Sequence, residues 1–484
     1  MKYLVWGMEP RASSEFSSTV VRYSYSRVGE VRRSCSDTYL PATHFFTRSR
    51  KAATMTTRRL APSRTIIASF AAEHPQQHAQ QASAQPPLNQ YDDGLYILHV
   101  ASGPCGSAVP SAAASTPISC ALSDQSVQTY DQSTHALVHS IPRAHSGPIT
   151  DLCHTTNEGT VVVTSGQDGY VRLFDLRQSA AAATSTNNSP SKGLSKAVAE
   201  MQLPRKEEAL SVAIGYGGAL AAVGGSRGLV HFFDLRSVGA SDSTSASSSP
   251  NLLGTYEDAH TEEVTKVRFQ PTPDLSGGTT NTLVTASEDG LVCTFDTSKP
   301  NEEEALSSVL NVGTPLRDVG FFGPKGEGLY CLTGSETMSV WHHDSAQRIC
   351  DFGDVRSQLG SSAGMNIDYL VACSWDGNAL SLLAGNSDGE AAIYRVDAGS
   401  IALTHTLASG HKGCVRGFAV TRQRHWITGG EDARLCEWNL DGPQAVVSPA
   451  ASSPPRVKAM VTNPSQRRGG PIKHTRKKNS NAPY

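Results

Sequence analysis

Three histidines in the sequence could take part in acid–base chemistry: His145, His260 and His411. A histidine ionises near neutral pH, so it can act as a general base when a nucleophile lies within hydrogen-bonding distance. Each of the three is followed further along the chain by an aspartate in a predicted turn. Histidines paired with such aspartates inside folded units are satisfied structural groups, and the sequence favours that interpretation over a catalytic or pH-sensing role.

The motifs of the common enzyme classes are absent from the sequence. It contains no P-loop, no Gly-x-Ser-x-Gly motif and no His-Glu-x-x-His motif. Residues 224–228, GGSRG, share only composition with a phosphate-binding loop, because a strand and no helix is predicted to follow them. The cysteines are too widely spaced to form a Cys-x-x-Cys pair, and the pair His342-His343 has no spaced ligand partners. We therefore expect no enzyme activity, no metal site and no cofactor.

A longer repeat shows which elements would position the histidines. An aromatic residue recurs seven times along the chain, each time at the same short offset after a predicted turn. In three turns Gly follows Asp, and Asp-Gly between apolar runs favours a tight hairpin. The two longest intervals contain the low-complexity tracts 178–195 and 237–250. Without these inserts, the spacing approaches the roughly 40–45 residues of a four-stranded blade. The recurring aromatic residues are Tyr130, Phe174, Phe233, Phe295, Trp341, Tyr394 and Trp438.

The order of a histidine, a hairpin with aspartate at its turn, and an aromatic residue often followed by aspartate resembles the WD-repeat β-propeller family. The resemblance covers residues 91–442 and implies an all-β fold, a seven-bladed WD-repeat β-propeller with disordered N- and C-terminal tails. Six blades with an irregular cap are the alternative. Such rings usually close when the first strand joins the last blade, and residues 96–100 are the predicted closing strand. Whether the first unit is a complete blade is open.

In that family, a blade can contain a hydrogen-bonded chain of His, Ser/Thr, Asp and Trp. The resemblance implies such a tetrad in the last unit and, with Phe in place of Trp, in units two and four. Phe has no N–H to donate, so those two chains lose one link. The tetrads are His411, Thr428, Asp432 and Trp438; His145, Thr164, Asp168 and Phe174; and His260, Thr285, Asp289 and Phe295.

Composition separates the two ends of the chain from its middle. The ends lack apolar periodicity and are rich in Ser, Thr, Gln, Pro or basic residues. We expect a disordered N-terminal extension over 1–90, the propeller over 91–442 and a disordered basic tail over 443–484. Met55 opens a second possible start, so a native start at either Met1 or Met55 is left open as a hypothesis.

The net charge follows the same division. It is +8 over residues 1–70, −18 over 71–455 and +8 over 456–484. An acidic body repels nucleic acid, so any contact with nucleic acid would be weak and made by the basic tails. The sequence contains no apolar run long enough to cross a bilayer, so no membrane-spanning helix and no membrane partner are expected.

One repeated motif could contact a partner. Phe-Asp-Leu-Arg occurs at 174–177 and again at 233–236, which makes Arg177 and Arg236 candidate partner-binding residues. The motif is similar to the aromatic-Asp-x-Arg sequences of WD-repeat proteins that serve as substrate receptors of cullin-RING ubiquitin ligases, where the arginine contacts the adaptor. The alternative is an ordinary salt bridge within the blade or an exposed strand end.

The resemblance implies a non-enzymatic scaffold that mediates protein–protein interactions, with a ligase receptor as the alternative and a propeller enzyme as the rival from another class. Basic clusters at 467–468 and 473–478 resemble a bipartite nuclear-import signal, so a nuclear and/or cytoplasmic location is expected. The Arg- and Ser-rich N-terminus also resembles a mitochondrial transit peptide, which is a minority interpretation.

Overall fold

The computed structural model describes residues 57–68, 94–103, 117–155, 160–177, 197–236, 251–272, 278–421 and 423–441. These residues form 29 strands in seven sheets and two short α-helices. The strands are β1 Arg58–Leu60, β2 Arg64–Ile67, β3 Ile97–Ser102, β4 Pro117–Leu122, β5 Val127–Asp131, β6 Leu137–Ile141, β7 Ile149–His154, β8 Val161–Gly166, β9 Tyr170–Asp175, β10 Ala199–Gln202, β11 Ala209–Gly215, β12 Leu220–Gly225, β13 Val230–Asp234, β14 Leu252–Tyr256, β15 Val264–Pro271, β16 Thr279–Ser287, β17 Leu291–Asp296, β18 Leu306–Asn311, β19 Leu316–Phe322, β20 Gly328–Thr333, β21 Thr337–His342, β22 Gln347–Asp354, β23 Tyr369–Trp375, β24 Leu380–Gly385, β25 Ala391–Asp397, β26 Ser400–Leu407, β27 Val415–Val420, β28 Trp426–Gly430 and β29 Arg434–Trp438. The helices are α1 Glu302–Ala305 and α2 Arg356–Ala363.

The seven sheets are the blades of a propeller. Blades one to five are β3–β6, β7–β10, β11–β14, β15–β18 and β19–β22, each an antiparallel sheet with its strands in chain order. Blade six contains β23–β26 and blade seven contains β27–β29, and each gains one strand from the N-terminal segment. The first strand of each blade contacts the first strand of the next, including β27 of blade seven with β3 of blade one, so the ring is closed. The prediction of seven blades is confirmed.

The recurring aromatic residues are explained by packing between blades. Seven buried apolar clusters occur among the described residues, one at each junction between neighbouring blades. Each recurring aromatic side chain lies on the third strand of its blade and packs against the preceding blade; Phe295, for example, contacts blade three. Because one large ring per blade fills each junction, the sequence repeats an aromatic residue once per blade.

The strand that closes the ring is not the predicted one. Residues 96–100 were expected to join the last blade, but β3 is the innermost strand of blade one, and blade one is therefore complete. The outer strand of blade seven is β2, which pairs antiparallel with β29 from Arg64 opposite Glu437 to Ile67 opposite Arg434. The burial of each segment explains the difference. Ile97 is fully buried in the junction of blades seven and one, whereas Ile67 is exposed, as suits an outer strand.

The prediction that residues 1–90 are disordered throughout is wrong for residues 57–68. In this segment β1 pairs in parallel with β26 as a fifth strand of blade six, and β2 follows in blade seven. Leu60 is buried between these two blades beside Trp426 and Trp438. A short stretch with one buried leucine cannot show periodicity, so composition alone misassigned it. The rest of the extension, the inserts 178–195 and 237–250, and the tail 443–484 lie outside the described residues.

The two faces of the disc differ in which loops they carry. In an antiparallel blade the first and third strands end at one face, and the second and fourth end at the other. We call the first the arginine face, because Arg177 and Arg236 follow the third strands β9 and β13. We call the second the tetrad face, because it carries the turn aspartates and the three histidines of the predicted tetrads. No helix among the described residues is long and apolar enough to cross a membrane.

Candidate functional site

The tetrad of blade seven is a continuous chain of hydrogen bonds. His411 Nε2 lies 2.7 Å from Thr428 Oγ1, and His411 Nδ1 lies 3.1 Å from Asp432 Oδ1. Trp438 Nε1 donates to Thr428 Oγ1 over 2.8 Å. A Cβ at Gly430 would lie 2.7 Å from both His411 Nδ1 and Asp432 Oδ1, so glycine is required where the pair approaches the backbone. The four predicted residues therefore lie together inside one blade.

The electrostatics of this tetrad favour a charged histidine. Burial alone would lower the pKa of His411, but the interactions with Asp432 and Cys436 together outweigh it and the pKa is raised to about 9. Burial likewise opposes the ionisation of Asp432, and the hydrogen bond from His411 lowers the pKa of that carboxyl. Both shifts favour a buried imidazolium paired with a carboxylate, a form in which one ring N–H can be donated to Asp432 and the other to Thr428.

Blade four repeats the geometry without the indole. His260 Nε2 lies 2.7 Å from Thr285 Oγ1, and His260 Nδ1 lies 3.1 Å from Asp289 Oδ2. Phe295 is fully buried in the aromatic position and donates no hydrogen bond. Here burial outweighs the attraction of Asp289, and the pKa of His260 is lowered. The same three residue types therefore hold a neutral histidine.

Blade two adds an arginine to the tetrad. His145 lies 2.7 Å from Thr164 Oγ1 and 2.9 Å from Asp168 Oδ1. Arg172 Nη1, on the third strand, donates to Asp168 Oδ2 over 2.7 Å. Burial opposes the ionisation of Asp168, but the hydrogen bonds from His145 and Arg172 hold its pKa well below the usual range. Phe174 is buried at the junction with blade one and serves as packing.

Sequence reasoning missed a fourth buried pair, in blade three. His231 Nε2 bonds Glu207 Oε1, and His231 Nδ1 lies 2.9 Å from Thr255 Oγ1. Glu207 lies against Gly225 of blade three in the same way that His145 lies against Gly166 of blade two. In blade three the carboxylate of Glu207 therefore occupies the position that the histidine has in blade two, and the histidine of the pair, His231, lies on the third strand. The signal was available, since a glutamate precedes the first strand and a histidine interrupts the apolar third strand. The pair was missed because its order is reversed.

Blades one, five and six hold their aromatic residues differently. Tyr130 donates to Gln128 Oε1 over 2.6 Å, Trp341 Nε1 donates to Ser339 Oγ over 2.9 Å, and Tyr394 donates to the carbonyl of Leu359 in α2 over 3.0 Å. Each buried polar ring atom therefore finds an acceptor even where no histidine is present.

The candidate partner-binding arginines are exposed and paired to their own aspartates. Arg177 donates from Nε and Nη2 to the two oxygens of Asp175, both over 2.9 Å, and Arg236 donates to Asp234 over 3.0 and 2.7 Å. The hydrogen bond from each arginine lowers the pKa of its aspartate. The arginine side chains keep 63% and 73% of their surface exposed. Each residue therefore makes the predicted salt bridge within its blade and still faces solvent.

A third Asp-x-Arg sequence shows that this pairing is local. Arg356, the first residue of α2, donates to both oxygens of Asp354, the last residue of β22 on the tetrad face, from Nε over 3.0 Å and from Nη2 over 2.7 Å. The same geometry thus forms where no third strand precedes it. The pairing is not general, however, because in Asp432-Ala433-Arg434 the Nε of Arg434 lies 3.6 Å from Asp432 Oδ2 and its Nη1 donates to the carbonyl of Gly410 instead.

Charged residues also line the axis of the ring, and the sequence analysis did not predict this placement. Asp151 of blade two accepts hydrogen bonds from Ser211 of blade three over 2.7 Å and from Lys266 of blade four over 2.9 Å. Burial opposes ionisation of Asp151, but Lys266, His99, Arg268 and the hydrogen bond from Ser211 together more than offset it and lower the pKa to about 2. Arg268 pairs with Asp318 of blade five over 3.0 Å. These contacts tie the inner strands of blades two to five to one another.

The described residues contain no group of three or more His, Cys, Asp or Glu side chains that could hold a metal ion. Both ring nitrogens of His145, His260 and His411 are bonded within their blades, so none is placed to take a proton from a substrate. The arrangement can stabilise a rigid ring and present loops on two faces.

Comparison with known proteins identifies one matching family and several similar proteins. The family described as "WD domain, G-beta repeat" matches residues 136–175 and 250–296. Each match runs from the fourth strand of one blade through the third strand of the next, which is why a histidine and its turn aspartate fall within one repeat.

Two curated proteins are similar over long stretches. The chain is 26% identical over 389 residues to WD repeat-containing protein GTS1 of Arabidopsis thaliana, covering 76% of this chain and 86% of that protein. It is 29% identical over 195 residues to the WD repeat-containing protein 89 homolog of Dictyostelium discoideum, covering 40% of this chain and 53% of that protein. Among solved structures, a chain in "Crystal Structure of Mitotic Checkpoint Complex" aligns with a TM-score of 0.52 at 12% identity, covering 86% of this chain and 98% of that chain. This last likeness shows the fold alone.

Proposed function

Because the chain is a WD-repeat protein folded as a seven-bladed propeller, we propose that it is a non-enzymatic scaffold on which other proteins bind. The observation that carries the proposal is that the potentially reactive side chains of the tetrads are hydrogen-bonded to one another. The three tetrad histidines form hydrogen bonds with their aspartates inside the blades. The loops of both faces connect the strands of a closed ring. Binding residues commonly lie on such loops.

The test is affinity purification of the full chain followed by mass spectrometry. We expect a reproducible set of partner proteins that is lost when exposed loop residues of one face are replaced by alanine. The matched variants are Glu208→Ala with Glu262→Ala on the tetrad face and Tyr216→Ala with Lys299→Ala on the arginine face; all four residues are exposed or partly exposed. A partner set unchanged by either pair, or no partner above background, contradicts the scaffold function.

A second candidate function is that of a substrate receptor of a cullin-RING ubiquitin ligase. The observation that favours it is the identical construction of Arg177 and Arg236, which follow the third strands of adjacent blades and project from one face. Two guanidinium groups at the same offset could meet carboxylate or carbonyl oxygens of one adaptor surface, at the expense of their pairing with Asp175 and Asp234.

The double variant Arg177→Ala, Arg236→Ala tests this candidate. We expect an unchanged melting temperature, because exposed ion pairs contribute little to stability, together with loss of co-precipitation with the cullin complex. Arg356→Ala is the control, since it removes the same local pair from the opposite face. Retained binding in the double variant, or no binding by the wild-type chain, rules out the receptor role and leaves the scaffold function untouched.

We further propose that the chain is nuclear and/or cytoplasmic, on the strength of the two basic clusters at 467–468 and 473–478. Both lie outside the described residues. A fluorescent fusion that lacks residues 456–484 should lose nuclear signal relative to the full chain. Mitochondrial fluorescence of the full chain would instead support the transit-peptide interpretation of the N-terminus.

A further inference from the structure

A cluster of ionisable side chains joins blade seven to blade one on the arginine face. At its centre is Glu437 of β29, whose carboxylate lies between two histidines from different blades. His135, in the turn between β5 and β6 of blade one, places Nε2 3.0 Å from Glu437 Oε2. His425, in the turn between β27 and β28 of blade seven, places Nδ1 2.7 Å from Glu437 Oε1. The side chains of Glu437 and His135 are only 9% and 12% exposed, so both are largely removed from water.

The N-terminal strand β2 joins this cluster through Arg64. Arg64 Nη1 lies 2.6 Å from His135 Nδ1 and donates to the carbonyl of Ser133 over 2.6 Å. A guanidinium group carries only N–H donors, so the ring nitrogen that accepts from it must be unprotonated. His135 is therefore a neutral ring with its proton on Nε2, the nitrogen that faces Glu437. The contact geometry alone fixes this protonation state.

β2 has few other anchors. It is four residues long, three of its side chains are exposed, and Ile66 is half-buried. Its backbone pairs with β29, and Ser63, just before the strand, donates from its N–H and its hydroxyl to the carbonyl of Glu437. Arg64 supplies the hydrogen bonds that tie β2 to blade one. Because little apolar surface holds the strand, each polar anchor makes a large contribution to its local stability.

We propose that His135 is a proton-operated anchor for β2. A second proton on the ring would occupy Nδ1, and two N–H donors would then face each other across the contact with Arg64. An imidazolium is attracted by Glu437 and repelled by the guanidinium, so the contact with Glu437 persists and the contact with Arg64 breaks. Acidification therefore loosens β2 from blade one while the seven blades stay folded.

The surroundings of His135 support this outcome. The ionisable groups that face its ring are Arg64 from β2, Glu437 from β29 and, on the far side of that carboxylate, His425. On its own turn, Asp131 Oδ1 accepts two backbone N–H groups, so that carboxylate holds the turn in shape. Arg64 is the cation that the described residues place in direct contact with the ring, and its departure relieves the repulsion.

The consequence concerns the outer edge of blade seven. β2 covers β29, and a strand that loses its neighbour exposes unpaired N–H and C=O groups. Such an edge can accept an extended strand from another protein. The inference goes beyond the scaffold function, because it makes access to this edge depend on pH.

Hydrogen–deuterium exchange of the full chain tests the anchor. Protection factors, which correct for the intrinsic exchange rate at each pH, are measured for residues 63–68 at pH 7.5 and 5.5, on either side of the usual ionisation range of histidine. On acidification we expect the protection of β2 to fall about fivefold more than that of β22, the outer strand of blade five, which is the equivalent of one hydrogen bond. Unchanged protection of β2, or an equal fall in both strands, contradicts the proposal.

Three variants assign the effect. His135→Gln takes no second proton, yet its amide can accept from Arg64 and donate to Glu437, so we expect the pH dependence of β2 to disappear. His425→Gln is the matched control on the other oxygen of the same carboxylate, and it should keep the wild-type pH dependence. Arg64→Met removes the donor and should lower the protection of β2 at pH 7.5 to the wild-type value at pH 5.5.

The opposite results overturn the assignment to His135. They are a pH dependence that survives in His135→Gln, one that disappears in His425→Gln, or full protection of β2 in Arg64→Met at pH 7.5. Arg64 is exposed on the outermost strand, so its replacement leaves the core of the ring intact and keeps the test independent of the folding of the histidine variants.

Discussion

Blades four and seven contain the same His, Thr and Asp at the same distances, yet the pKa of the histidine is raised in blade seven and lowered in blade four. In both, the ring nitrogens lie 2.7 Å from the threonine oxygen and 3.1 Å from the aspartate. Blade seven adds the indole N–H of Trp438, and its histidine has a raised pKa, whereas blade four has Phe295 and a histidine with a lowered pKa. A shared sequence pattern therefore fixes geometry, and the balance of burial against pairing decides the protonation state.

The two blades also differ in how they are completed. Blade four is built from four consecutive strands, whereas blade seven depends on β2, which comes from the opposite end of the described chain. Blade four can therefore form from local sequence, and blade seven cannot.

The largest loss of stability is expected when this long-range strand is removed. A chain that starts at residue 69 lacks β1 and β2, and we expect it to lose about 5 kcal/mol or more of stability. The loss combines the burial of Leu60, about 1.5–3 kcal/mol for such a side chain, with several strand hydrogen bonds at about 1 kcal/mol each. A chain that starts at Met55 keeps both strands and is the control. Urea unfolding measures both, and equal stability of the two chains would show that blade seven closes without β2.

The next effect separates the two tetrads. Asp432→Ala leaves a buried charged His411 without its partner, so we expect a loss of about 3 kcal/mol or more. Asp289→Ala leaves a neutral His260 with one missing hydrogen bond, and about 1–3 kcal/mol is expected. Denaturant midpoints of the two variants give the comparison. A larger loss for Asp289→Ala would reverse the assignment of charge.

A smaller effect isolates the indole N–H. Trp438→Phe makes blade seven resemble blade four and removes one donor to Thr428, which we expect to cost about 1–2 kcal/mol. Trp426→Phe, in the same blade, is the matched control, because Trp426 is also buried in this junction. If both variants lose the same stability in thermal unfolding, the effect is the change in ring size and not the hydrogen bond.

The last effect is the pH dependence of stability. The pKa of His411 is raised on folding, so its contribution is fully present below pH 6.5 and is lost as pH rises toward 9. The pKa of His260 is lowered, so its contribution is present above pH 6.5 and is lost as pH falls below that value. We expect the stability difference between wild type and His411→Gln to shrink from pH 6.5 to 9, and that of His260→Gln to shrink on acidification. Parallel pH profiles for the two variants would remove the distinction.

The sequence predicts the parts of this structure that repeat locally. A constant offset from turn to aromatic residue recurs because every hairpin has the same length, and the ring fold follows from seven such hairpins. Arg177 and Asp175 are only two residues apart, so their salt bridge was also a foreseeable alternative.

The features that escaped prediction lack such a local pattern. β1 and β2 can be recognised only from their pairing with the edges of β26 and β29, and these two strands lie far away in sequence. Glu207 and His231 exchange the usual order of acid and base, and the charges of Asp151 and Lys266 meet only because three inner strands converge on the axis. The protonation states of the tetrad histidines could not be predicted from the sequence either, because they depend on burial, which is a property of the assembled ring.

The pairing of Ser63 with Glu437, 374 residues apart, has a consequence for synthesis on the ribosome. β1 and β2 leave the exit tunnel before the other described strands, while their partners β26 and β29 are among the last of the described strands to be made. At about 5–20 residues per second, the segment waits roughly 20–75 s for the strands it must join. Blades one to five can assemble as they emerge, but the nascent ring stays open with unpaired edges during that interval. A ribosome that stalls before β29 would therefore release a chain that cannot close its ring, and until β29 emerges the unpaired edges depend on chaperones for protection.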